Sequence, residues 1–372
     1  MLLPLAQSLI SKGFDIVVVV LGQSTFEPKL WSDSGIRVFF SNGDDKTPLH
    51  TSRDAFYVVK ELRSIIRIVE PEIIHAWCGP SLWLTLLSIQ NPPLIQRLPR
   101  FRLLATESTI PTQQPFFREW LEARFSSQIE RLIVPHVSVN EALREMGCEA
   151  AAVSIVPNAA VTSSFSPGLE IAMSDRGSQR RLTMRSEVRE RLGLPDDAKL
   201  AIAIADLVPR SRLKDLIWAT DLLACIRDDF HFAMIGVGPQ KTRLQKFTAQ
   251  TEARPHVHFL GLAESPESIL ASADFYWHAH LQAPTPAPLL SAMSMGIAAV
   301  SVWGPGTSEI IRHQETGFAT NFGARDEFAR WTKYLIEQAD SATQLAQQGQ
   351  DFVNTEFAFE RLVDAYLDIY EG

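Results

Sequence analysis

Ala283-Pro284-Thr285-Pro286-Ala287-Pro288-Leu289-Leu290-Ser291-Ala292-Met293-Ser294-Met295-Gly296 is the stretch whose reading decides the fold. Leu289, Leu290, Ala292, Met293 and Met295 read as one buried helix. Three prolines stand just ahead of it, where a missing N–H and a fixed φ are tolerated. Gly296 ends it, as a glycine at a helix C-terminus does. Ile297 to Val302 is then short, apolar and β-prone. Gly304-Pro305-Gly306 turns the chain toward a second helix start, expected at Thr307-Ser308-Glu309. Loop, helix, buried strand, glycine turn and helix make the unit by which doubly wound sheets present helix N-termini to anionic ligands.

Working outward, the chain has 372 residues, 46% of them hydrophobic, which is ample for more than one core. Its 35 basic residues against 43 acidic ones leave a net charge of −8, which argues against nucleic acid as a partner. Cys78, Cys148 and Cys225 are far apart and odd in number, so neither a disulfide framework nor a zinc spacing follows. The setting they imply is reducing and cytoplasmic. No apolar run has the length of a membrane-crossing helix. Met1-Leu-Leu-Pro-Leu-Ala lacks the marks of a signal peptide.

The first half alternates helices and strands. Leu2, Leu5, Ala6, Leu9 and Ile10 fall at helical spacing, with Gly13 as the stop. Aliphatic Ile16 to Leu21 has the signature of a strand covered on both faces. Strands follow at Ile36–Phe40, Ile73–Trp77, Leu103–Thr106 and Arg131–Pro135, and Ser154–Asn158 closes this half. Helices are expected over Arg53–Glu70, Gln113–Phe125 and Val139–Met146. This alternation means a parallel sheet with helices on both faces. Ligands of such sheets lie at the carboxyl ends of the strands, which singles out His75, Glu107-Ser108-Thr109 and His136. His75 has two readings, a hydrogen-bonded structural imidazole or a catalytic group.

Polar Ser163–Arg181 reads as a connection between domains. The pattern then resumes with a helix over Ser186–Leu192, a strand over Leu200–Ala205, a helix over Leu216–Ile226 and a strand over Phe232–Val237. That strand ends in Gly236-Val237-Gly238-Pro239, where two glycines allow close backbone approach. A further helix is expected over Pro266–Ser272 and a strand over Phe275–His278. His278 and His280 share one side of the chain but have no third ligand, so no metal site is expected.

These landmarks resemble those of retaining GT-B glycosyltransferases of family 4, the glycosyl transferases group 1. The resemblance rests on Val156-Pro157-Asn158, Gly236-Val237-Gly238-Pro239, Val257-His258-Phe259-Leu260-Gly261, Ala273-Asp274, Pro286, Ala292-Met293 with Gly296, and Glu315-Thr316-Gly317. It implies an α/β fold of two Rossmann-like, doubly wound domains facing across a cleft. Residues 1–165 would be the acceptor side and 166–356 the nucleotide-sugar side, with helix 357–372 packing back on the first. In the family, a strand and glycine-rich turn precede the helix that here opens the chain. The expectation is a start placed late or a truncated descendant.

The resemblance further implies transfer, with retention, of a sugar from a nucleotide-diphosphate sugar to a hydroxyl acceptor. The acceptor would be a glycan, a lipid-linked or a small molecule, and neither cofactor nor obligatory metal is implied. The donor would lie against Arg210, Arg212, Gly238, Leu262, Thr285, Pro286, Ser291 and Glu309, with His75 and Glu107 as catalytic candidates. Yet the family's two glutamates fall on Ala283 and Ser291, and its Arg and Lys on Asp206 and Ser211. An inactive scaffold or partner protein of the same fold is therefore the alternative. Lys60, Arg63, Arg67, Arg97, Arg100 and Arg102 suggest a basic face for peripheral contact with the inner membrane surface, against the simpler reading of a solvated face.

Overall fold

A computed structural model describes residues 2–21, 31–40, 52–90, 98–108, 126–147, 150–160, 175–195, 197–263, 269–281 and 285–372. They divide into two compact units, Met1–Pro157 with Val363–Gly372, and Asn158–Leu362. The boundary falls at Pro157, ahead of the expected 165, because Ala160 is already part of the second core and donates its N–H to the Phe357 carbonyl at 2.8 Å.

The first unit holds α1 (Leu2–Ser11), β1 (Val17–Val20), β2 (Arg37–Phe40), α2 (Ser52–Val69), β3 (Ile73–Trp77), α3 (Gly79–Ile89), β4 (Arg102–Thr106), β5 (Arg131–Val134), α4 (Val137–Glu145) and β6 (Ala152–Ile155). All pairings are parallel, but they form two sheets, β1-β2 and β3-β4-β5-β6. β6 stops before Pro157, since proline cannot donate to a ladder. Helix α3 was not foreseen. Its sequence GPSLWLTLLSI is apolar all round, with Leu82, Leu84 and Leu86 buried, so it shows little amphipathic period to read. The helix expected over Gln113–Phe125 lies outside the described residues.

The second unit holds α5 (Asp175–Leu192), β7 (Lys199–Ile204), α6 (Leu213–Ala224), β8 (Phe230–Ile235), α7 (Lys241–Thr248), β9 (Val257–Gly261), β10 (Phe275–His278), α8 (Ala287–Ser294), β11 (Ala298–Val302), β12 (Phe318–Thr320), α9 (Arg325–Glu337), α10 (Ala339–Glu356) and the start of α11 (Phe359–Glu371). Its single parallel sheet runs β12-β11-β10-β7-β8-β9. Side chains of β7 alternate between two cores. Leu200 and Ile202 join the layer containing α5 and α8, while Ala201 and Ala203 join that of α6, α7 and α9. Leu345 and Val353 of α10 reach one core each.

Two expectations are corrected here. Helix α5 begins at Asp175, inside the stretch read as connection, because Arg and Glu are good helix formers and its second half is anchored. Arg185 and Arg189 pair with the Asp274 carboxylate at 2.7 and 2.9 Å, and the same carboxylate accepts from the Leu200 N–H at 2.8 Å. The second helix start at Thr307 is also absent. Residues 305–310 form consecutive turns, with Ser308 N–H donating to the Gly304 carbonyl at 3.0 Å. The Thr307 hydroxyl, buried, turns back to the Val302 carbonyl at 2.8 Å and fixes the glycine turn.

Candidate functional site

The carboxyl ends of β7 and β8 meet backbone to backbone. Gly236 has φ of 147°, and a Cβ there would stand 2.0 Å from the Ala205 carbonyl oxygen. A Cβ on Gly238 would stand 2.6 Å from the Leu207 oxygen. Only glycine permits this approach. The turns are tied by the Leu207 N–H to the Val237 carbonyl at 2.9 Å and the Gly236 N–H to the Gly261 carbonyl at 2.8 Å. Leu262, just past β9, is exposed.

The entry to α8 is held equally firmly. Thr285 is fully buried at a left-handed φ of 44°, and its carbonyl accepts from the Asn158 side-chain amide at 2.8 Å. That bond gives Val156-Pro157-Asn158 its structural meaning. Pro286 is the N-cap, without a side-chain cap bond, and its carbonyl accepts from Leu289 at 3.0 Å. With Pro288 also lacking an N–H, the first turn of α8 presents few free donors. Ser291 is partly exposed one turn on, and Glu309 is exposed beyond the glycine turn. Ala283 and Pro284 lie outside the described residues.

Charged and titratable groups gather where β7 and β10 end. Burial pushes His278 down to about 4, aided by His280 nearby. Its Nε2 donates to the His280 carbonyl at 3.1 Å. His280 is also lowered, by burial first and then by the Arg210 guanidinium, with Asp206 opposing. Arg210 and Asp206 thus act on the same imidazole. The Nδ1 of His280 is buried and has no hydrogen-bond partner among the described residues. Sequence reading weighed this histidine only as a metal ligand. Its signal was its place two residues beyond a strand's carboxyl end. Among the described residues, no three His, Cys, Asp or Glu side chains converge as a metal site.

Arg212 does not join this group. It occupies a left-handed φ of 54°, its Nε donates to Asp215 at 2.6 Å, and its guanidinium lies 4.8 Å from the Phe322 ring centre. Ser211 is buried in the turn between them.

In the first unit, both ring nitrogens of His75 are engaged, with the Tyr370 hydroxyl at 2.6 Å and the Thr106 hydroxyl at 2.7 Å. Trp77, Tyr366 and Tyr370 surround the ring, and burial pushes its pKa down to about 3. This is the arrangement of a neutral structural imidazole. Glu107 is buried, its N–H donating to the Ile133 carbonyl at 3.0 Å. His136 caps α4, its Nδ1 accepting from the Ser138 N–H at 3.0 Å.

Of the six cations read as a basic face, Lys60 and Arg100 are exposed, but two others are committed elsewhere. Arg63 is buried and donates to the Ser88 and Gln90 carbonyls at the end of α3. Arg102 donates to the Ile369 and Tyr370 carbonyls at the end of α11. Both cations neutralise helix C-termini, which removes them from any surface patch. Arg97 lies outside the described residues. No helix among the described residues is long and apolar enough to cross a membrane.

Residues 184–352 match the glycosyl transferases group 1 family, and residues 1–159 match the glycosyl transferase 4-like domain. The lipopolysaccharide core biosynthesis glycosyltransferase LpsE of Rhizobium meliloti is 24% identical over 55% of this chain and 62% of its own length. N-acetyl-alpha-D-glucosaminyl L-malate synthase of Bacillus anthracis is 21% identical over 50% of this chain and 48% of its own. The matched region therefore spans about half to three-fifths of these relatives. Among solved structures, Anabaena Alr3699/HepE in complex with UDP-glucose superposes with a TM-score of 0.80 at 16% identity, over 100% of this chain and 94% of that one. The glycosyltransferase WaaG, involved in lipopolysaccharide biosynthesis, gives 0.73 at 12% identity, over 99% and 94%. The two halves of the chain therefore match a glycosyl transferase 4-like domain and a glycosyl transferases group 1 domain over residues 1–159 and 184–352, and the chain has the α/β fold of the GT-B glycosyltransferases.

Proposed function

We propose that this protein transfers a sugar from a nucleotide-diphosphate donor to a hydroxyl acceptor, with retention at the anomeric carbon. The observation that carries the reading is the group 1 match over residues 184–352, the region that holds the bare glycine turn at Gly236 and Gly238. A uridine nucleotide is the donor to test first, since the HepE structures hold UDP and UDP-glucose. The departing diphosphate gathers negative charge, and donors placed beforehand lower that barrier. Here the backbone of the glycine turn, the Arg210 guanidinium and the Ser291 hydroxyl take that work, and His280 hydrogen-bonds the sugar through its unpaired Nδ1. The reading needs no metal and no cofactor. The acceptor is a glycan or a lipid-linked or small molecule, and the reaction belongs to the cytoplasm, at or near the inner membrane face.

A second reading, an inactive partner protein, is favoured by one observation. Asp206, an exposed acid, and Ser211, a buried hydroxyl, occupy the two places where the resembled family has cations. Mass spectrometry of UDP-sugars incubated with the protein and hydroxyl acceptors separates the two. Sugar transfer, with retained configuration by proton NMR, supports the first. Binding of a UDP-sugar that stays uncleaved with every acceptor supports the second and overturns the first.

A further inference from the structure

A cavity of about 460 Å³ opens in the second unit between α6 and α7. Arg212, Lys214, Arg243, Lys246 and Arg325 line it, against the one carboxylate of Asp215. Asp215 is consumed by Arg212 and Arg325, at 2.6 and 2.9 Å. Among the described residues, Lys214, Arg243 and Lys246 have no ion pair. Lys214 rests 4.3 Å from the Phe247 ring centre, which braces its ammonium without neutralising it.

Such a local concentration of cations stands out in a chain whose net charge is −8. Like charges sharing one concavity repel, and the field they make draws in anions. The helices do not explain it. Lys214 stands in the first turn of α6 and Arg243 in the first turn of α7, where the dipole disfavours a cation. Only Lys246, in the last turn of α7, is where a helix end welcomes it. The cavity is also separate from the α8 entry. Its helices α6 and α7 cover one face of the sheet, and α8 packs into the core of the other.

We infer that this cavity is a second anion site, for the phosphate or diphosphate group of a phosphorylated molecule. Leu213, Leu244 and Phe247 give the attached organic part an apolar wall. The ligand is either a free phosphorylated metabolite or the headgroup of an anionic lipid.

The test uses the whole protein and its Arg243→Ala/Lys246→Ala double variant, whose altered side chains are both exposed. Calorimetric titration with inorganic pyrophosphate probes the free ligand. Cosedimentation with phosphatidylglycerol vesicles, against phosphatidylcholine vesicles, probes the headgroup. The site predicts saturable binding in at least one arm, weakened at least about tenfold in the double variant. It also predicts that UDP binding is unchanged by the double substitution. No binding in either arm overturns the inference, as does a double variant that binds like the parent. Loss of UDP together with pyrophosphate would overturn the separation of the two sites.

Discussion

Strands of the two domains begin from apolar runs of sequence and end differently covered. An aliphatic run marks β1 in the first domain, and an apolar run interrupted by His231 marks β8 in the second. Every residue of β8 and β10 is buried, whereas all four valines of β1 are only partly so. The cause is pairing. β8 and β10 flank β7, the first strand of their domain, and each finds a partner in it. In the first domain, among the described residues, β1 pairs only with β2, and β3 only with β4. An apolar run specifies a strand that wants covering. Whether it is covered depends on a neighbour supplied elsewhere in the chain. Among the described residues the outer ladder groups of β1 and β3 meet no further strand, and such edges open most readily.

The largest test bears on the second domain. Gly236→Ala forces a Cβ toward the Ala205 oxygen that it would meet at 2.0 Å, at a φ of 147°. We expect a loss of about 3 kcal/mol in denaturant unfolding. A loss below about 1 kcal/mol would show that the β7–β8 junction yields easily and would break the contrast. Next, hydrogen exchange should separate the sheets. Amides of β1 should open at free energies about 2 kcal/mol or more below those of β7 and β8. Equal protection would contradict the comparison.

Acid sharpens it further. His75 sits at about 3 in the fold, against 6.5 for an ordinary histidine. Above pH 6.5 neither state holds the proton and stability is complete. As the pH falls toward 3, the unfolded chain takes a proton that the fold refuses, so stability drains away. At pH 5 the drain is about 2 kcal/mol. His75→Asn should flatten that part of the profile between pH 7 and 5. His231 and His278, each held at about 4, act in the same direction but are shared by parent and variant, so the difference isolates His75. Smallest is Ser291→Ala. It should leave stability within about 0.5 kcal/mol and weaken UDP by about 1 kcal/mol, one ordinary hydrogen bond.

The second domain was largely legible because its landmarks are local. Gly236 and Gly238 announced a close approach, Gly296 announced a helix end, and β10 fell on the residues expected. Asn158 and Asp274 were noted as matches, but their work is over long range, at Thr285 and at Arg185 and Arg189. Sequence spacing alone does not reveal such partners. Arg63 and Arg102 misled for the opposite reason. A cation on an amphipathic helix or at a strand's start reads as surface until the helix end it neutralises is located. His280 was read only as half of a metal pair, and its Nδ1, without a partner among the described residues, is visible only in three dimensions.

The central claim is that the second domain binds a nucleotide-diphosphate sugar at the ends of β7 and β8. Calorimetric titration of the protein with UDP and UDP-glucose, beside Gly238→Val, tests it most directly. In that variant a Cβ stands 2.6 Å from the Leu207 oxygen. The account predicts saturable binding by the parent and its loss in a variant whose circular dichroism shows it still folded. Absence of binding by the parent, or equal binding by the folded variant, would contradict it.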